Sequence, residues 1–143
     1  MEWGLFGGFF LALFVAWCAA LCWFDVRERR LPNALTLPAA CVAVLASLWA
    51  GFDGAPAPLV GAVLWTAVNG VAFLARGMGA GDVKLAPTLG AVVAGAGGVP
   101  AVLLAILGAQ LLTVAWAVVA RDRRVPHGPA MIAAALAAAG ATL

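Results

Sequence analysis

Between Lys84 and Arg121 the chain runs through 36 residues, Leu85 to Ala120, without a formal charge. As a single helix that run would be about 54 Å long, whereas the hydrocarbon core of a bilayer is about 30 Å thick. It is too apolar to face water and too long to cross a membrane once. The segment Gly95-Ala-Gly-Gly-Val-Pro100 lies inside it, and Gly and Pro together end helices. The run therefore divides into two spans, at about 83–95 and about 100–120.

The other uncharged runs are Trp3 to Phe24, Ala34 to Phe52, Gly54 to Ala75 and Pro129 to Leu143. Hydrophobic residues make up 66% of the chain and charged residues 10%. Soluble domains run at about 45–50% and about 25%, because their surfaces need polar cover. A soluble enzyme, a nucleic-acid-binding domain and a disordered tail are thereby excluded. The expectation is an all-α polytopic membrane protein with six transmembrane helices, one domain over residues 1–143. The fourth and sixth spans are short, which requires either a locally thinned bilayer or polar ends lying below the headgroups. Met1-Glu2-Trp3 lacks the basic start of a cleaved signal peptide, so the first span is read as retained.

The charge map tests that count. Arg27, Arg29 and Arg30 follow the first span, Arg76 and Lys84 flank the third loop, and Arg121, Arg123 and Arg124 follow the fifth span. With six spans all eight basic residues fall on one side, which chance would give about once in a hundred tries. Glu2 and Asp53 are the charges left on the other side. The positive-inside rule then places loops one, three and five in the cytoplasm and both termini outside, in the plasma membrane.

Few polar groups remain for chemistry. Cys18, Cys22 and Cys41 lie in apolar stretches without CxxC spacing and read as buried, inert thiols; no metal or other cofactor is expected. Glu2 and Asp53 read as interfacial, Glu28 as a loop residue among arginines, and Asp122 as charge balance within Arg121-Asp-Arg-Arg124. Asp25 and Asp82 differ, because both stand at the edge of an apolar span on the basic side. Asp25 has two readings: pairing with Arg29 one turn on, or an acid at the membrane boundary. Asp82 likewise reads as a helix N-cap after a glycine turn, or as a functional carboxylate near the headgroups. Two carboxyls brought close share a proton, and such a pair can both activate water and polarise a carbonyl.

Gly79-Ala-Gly81-Asp82-Val-Lys84 resembles the GxGDxK motif of type IV prepilin peptidases, membrane aspartic proteases. Asp25, followed by Leu31-Pro32-Asn33, resembles that family's other aspartate motif, and Pro126-His127-Gly128-Pro129 its Pro-aromatic-Gly-Pro element. The three occur in the family order between about Ala19 and Met131. The resemblance implies a catalytic dyad of Asp25 and Asp82, with Gly79, Gly81, Lys84, Pro32, Asn33, His127, Gly128 and Pro129 in support. It implies a prepilin or pseudopilin substrate cut after its short basic leader on the cytoplasmic side, with the lipid bilayer as the other partner and no nucleic acid. The paired CxxC motifs of larger members are missing, which points to a peptidase without methyltransferase activity. His127 replaces an aromatic ring in a tight turn. The competing readings are a small proton-coupled transporter subunit with the aspartates as relays, and a non-catalytic pilus or secretion assembly protein.

Overall fold

The computed structural model describes residues 2–122 and 124–142, with side chains from Gly7 onward. The outer-face position expected for the Glu2 side chain and the loop position of Arg123 lie outside the described residues. Among the described residues the chain is helical throughout: α1 (Glu2–Glu28), α2 (Asn33–Phe52), α3 (Ala57–Leu74), α4 (Ala80–Ala120) and α5 (Gly128–Gly140). Helices α1 to α4 are long and apolar enough to cross a membrane, and α5 is shorter at 13 residues.

The 41-residue α4 is not one straight rod. Gly98 has φ 70° and ψ −170°, two residues before Pro100, so a first arm and a second arm abut there. The break falls inside the expected Gly95–Pro100 segment. Helix α4 begins at Ala80, somewhat earlier than its charge pattern predicts, because Gly79 is the extended N-cap residue. Asp82 consequently lies in the first turn, three residues inside the Gly79 N-cap, which overturns its reading as the N-cap residue.

Prolines stand at the start of α2, α3 and α5. The Pro32 carbonyl accepts the N–H groups of Leu35 and Thr36, at 3.0 and 3.1 Å, and Pro56 and Pro58 sit where α3 begins and its N–H groups need no helical partner. Arginines close three helices. Arg29, Arg76 and Arg121 follow α1, α3 and α4 with φ of 52°, 60° and 52°, the left-handed turn that usually takes Gly. Behind Arg76, the Gly77 N–H reaches the Ala72 carbonyl at 2.9 Å; behind Arg121, the Asp122 N–H reaches Ala117 at 3.2 Å.

Small residues let the helices close up. A Cβ on Gly61 of α3 would run into the Gly90 carbonyl of α4, and one on Gly90 into the Gly61 carbonyl, so these backbones touch directly. Helix α3 and the first arm are antiparallel, for Asn69 reaches Asp82 at the other end of the pair. Helix α5 returns along the second arm, with Ala134 beside Gly108 and His127 beside Thr113. Helix α1 is tied to the start of α2 by Trp17 Nε1, which donates to the Leu35 carbonyl at 3.0 Å.

The core centres on α4: Leu85, Leu89, Val93, Val102 and Ala105 are buried with Trp65, Met131 and Leu21. The outside is equally apolar, with Phe10, Leu45, Trp49, Leu104 and Val118 exposed by 64–73%. A surface of this kind is solvated by lipid, so the chain is a multi-pass membrane protein. Cys18 is buried as expected, Cys22 half-buried, and Cys41 departs from the expectation by facing outward from α2.

Candidate active site

One end of the helix bundle is polar. There the C-terminus of α1, the N-termini of α2 and α4, the end of the second arm and the loop before α5 enclose a cavity of about 750 Å³. Asp25, Asp82, Lys84, Thr113 and His127 line it, with Arg29, Arg30 and Arg124 around it. Asp53, at the C-terminus of α2, belongs to the opposite end.

Asp25 lies within the last turn of α1, since the helix continues past Phe24 to Glu28, and it is 7% exposed. Its Oδ2 accepts the Gly128 N–H at 2.9 Å. That N–H is one of the unsatisfied donors opening α5, at the positive end of its dipole, where a carboxylate is favoured. Of the two readings of Asp25, the pairing with Arg29 does not occur. Arg29 Nη2 instead lies 3.6 Å from Asp122 Oδ2, while Asp122 Oδ1 accepts the Arg124 N–H at 2.8 Å. Asp122 thus ties the loop after α4 to the end of α1, and Asp25 is left free to face the cavity.

Asp82 is 8% exposed and also sits at a helix N-terminus, on α4. It lies 57 residues along the chain from Asp25 yet close enough for the two carboxyl groups to interact electrostatically across the shared cavity. Gly79 leaves room for it: a Cβ there would stand 3.5 Å from Asp82 Oδ2. Gly81 leaves room for something else, because its Cβ would press on Leu31 at 3.0 Å.

The other motif residues divide into two groups. Lys84 Nζ donates to Asn33 Oδ1 at 2.8 Å, joining α4 to α2 at the cavity wall. Pro32, Gly128 and Pro129 stand behind the wall, Pro32 as the N-cap of α2 and the other two as the first turn of α5.

His127 is 9% exposed and lines the cavity. Thr113 Oγ1 donates its proton to the Ala109 carbonyl at 2.8 Å, so it accepts from His127 Nδ1, 2.5 Å away. The imidazole therefore carries its proton on Nδ1, and Nε2 is a buried acceptor without a partner among the described residues. Desolvation lowers the His127 pKa from 6.5 to about 4, which keeps the ring neutral.

Two residues at the site escape the motifs. Thr113 sits inside the long uncharged run, where a hydroxyl has no periodic signature. Asn69, fully buried, donates through Nδ2 to the Asp82 backbone carbonyl at 3.2 Å. Its signal is composition, as it is the one amide between Gly54 and Ala75.

A bundle of apolar helices that gathers two carboxylates into a polar cavity at one end defines a multi-pass membrane protein with a candidate two-acid centre. A family model supplies the particular case: the type IV leader peptidase family matches residues 12–118, a stretch that includes both aspartates. The chain belongs to that family, and its general function is that of a leader peptidase. No curated protein and no solved structure matches the chain.

Proposed function

We propose that the protein is an aspartic endopeptidase that removes the short basic leader of a type IV or Flp-type prepilin, with Asp25 and Asp82 as its catalytic dyad. The observation that carries this reading is the meeting of two buried carboxylates from distant parts of the chain in one cavity. Held close in a poorly solvated site, the pair retains one proton between them. The ionised carboxylate takes a proton from water as the water oxygen bonds to the scissile carbonyl carbon. The protonated partner gives its proton to the carbonyl oxygen, forming a tetrahedral diol. Collapse breaks the C–N bond, the proton taken from water passes to the leaving amine, and a diol proton returns to the second carboxyl. Water is consumed, and the dyad is restored.

The cavity belongs on the cytoplasmic side in this reading. Every basic residue among the described ones stands at the cavity end of its helix, as the positive-inside rule requires of a cytoplasmic face. With the two arms of α4 counted separately, this reading has six crossings and both termini outside. Lys84 and Asn33 brace the cavity wall, which His127 also lines.

The test is cleavage in membranes co-expressing the chain with type IV and Flp-type prepilins, followed as the shift from precursor to mature size. Wild type is expected to cut, and Asp25→Asn and Asp82→Asn each to abolish the cut while accumulating normally. Cleavage that survives either substitution overturns the dyad, and no cleavage of any prepilin overturns the substrate class.

A further inference from the structure

Asn69 is an expensive residue where it stands. Its side chain is fully buried in α3, among apolar helices, and its Oδ1 has no hydrogen-bond partner among the described residues. An unpaired buried carbonyl works against stability. The orientation of the amide is settled by its neighbours, because the two groups facing Nδ2 are both acceptors: the Asp82 backbone carbonyl at 3.2 Å and Met131 Sδ at 3.5 Å.

Those two partners belong to the two elements that hold the carboxylates. The Asp82 carbonyl is part of the turn that carries the Asp82 side chain. Met131 lies one turn into α5, its N–H bonded to the His127 carbonyl at 3.0 Å, on the helix whose opening N–H at Gly128 holds Asp25. One amide on a third helix therefore grips both supports. The first turn of α4 has particular need of it, because Pro87 brings no N–H to the Val83 carbonyl and that turn lacks one of its own bonds.

We infer that Asn69 is a positioning residue that sets the separation of Asp25 and Asp82 by clamping the first turn of α4 to α5. The inference rests on the dyad reading above. Asn69 does not line the cavity, so it acts on geometry and not on substrate binding.

The experiment uses the purified full chain in detergent with a cleavable prepilin, comparing wild type, Asn69→Leu, Met131→Leu and Asp82→Asn. Leu keeps the branch point of Asn, at a larger volume, and removes the orphaned carbonyl. Asn69→Leu is expected to accumulate and fold, yet to lose tenfold or more in kcat with KM within twofold. The spacing between the two limbs of its pH–rate profile should also change, because those limbs report the coupled pair. Met131→Leu keeps the core filled and removes only the sulfur acceptor; it should lower kcat several-fold at unchanged melting temperature. A lower melting temperature for Asn69→Leu with unchanged kcat assigns Asn69 to packing and overturns the proposal. If Asn69→Leu does not accumulate, an unchanged kcat in Met131→Leu overturns it instead. Full activity in Asp82→Asn sinks the dyad itself, a failure distinct from either.

Discussion

Replacing Gly128 with Ala should damage the enzyme more than replacing either glycine of the GxGD segment. A Cβ at position 128 would lie 2.6 Å from Asp25 Oδ2, and ordinary contact begins near 3.4 Å. The carboxylate oxygen must therefore retreat by about 0.8 Å, stretching its bond to the Gly128 N–H from 2.9 Å to beyond useful length. A misplacement of about 1 Å can cost about 10²-fold in rate. Loss of a hydrogen bond to a charged group, about 1.5–3 kcal/mol, corresponds to a similar factor. The displaced atom is the end of a side chain, so the fold has little reason to fail. Gly128→Ala is expected to fold, with a melting temperature lowered by several degrees, and to lower kcat about 10²-fold. Gly79→Ala, whose Cβ would make ordinary contact with Asp82 at 3.5 Å, should stay within about threefold. Gly81→Ala, pressing on Leu31 at 3.0 Å, should fall between the two. The assay is initial-rate cleavage of one purified prepilin by the four proteins, with thermal melting alongside. Gly128→Ala within threefold of wild type, or Gly79→Ala equally impaired while folded, refutes the reasoning.

Because His127 is the one histidine in the chain, its ring resonances need no assignment. They should report a neutral Nδ1–H tautomer down to pH 5, and a midpoint near 6.5 or an Nε2–H tautomer contradicts the site geometry. Its folded pKa lies below its unfolded value, so the unfolded chain binds the extra proton. Stability from this group is complete above pH 6.5 and is lost as pH falls towards 4, by about 3 kcal/mol. His127→Phe should accordingly show a flatter fall in melting temperature over that window than wild type, and parallel curves count against it. Arg76→Gly relieves about 1–2 kcal/mol of left-handed strain against roughly 0.5–1 kcal/mol of added chain entropy. A small rise in melting temperature is expected, and a fall refutes the strain at that turn.

Charges and prolines make much of this fold legible. Charges mark helix ends to within a few residues, and the Gly95–Pro100 segment marks the break that the structure places at Gly98. Which face of each helix is buried cannot be read in the same way. A helix that is apolar all round has no polar face to orient it, so nothing in the sequence separates buried Leu21 and Trp65 from exposed Phe10 and Trp49. The two aspartates stand out because carboxylates are rare in this chain. Their partners do not: the Gly128 N–H is a backbone group 103 residues from Asp25, and Asn69 meets Asp82 through a main-chain carbonyl. Local charge also misleads, since Arg29 one turn from Asp25 turns away to Asp122.

The left-handed arginines after α1, α3 and α4 have a consequence for how such a chain is made. Gly would end each helix with less strain, but Gly carries no charge to hold that end back as the chain is threaded into the bilayer. At Arg29, Arg76 and Arg121 the residue that stops the helix is also one that biases the direction of its insertion. Helix termination and topogenesis are thereby coupled at three single positions, so a glycine there that improves the finished fold would remove part of the signal for threading it.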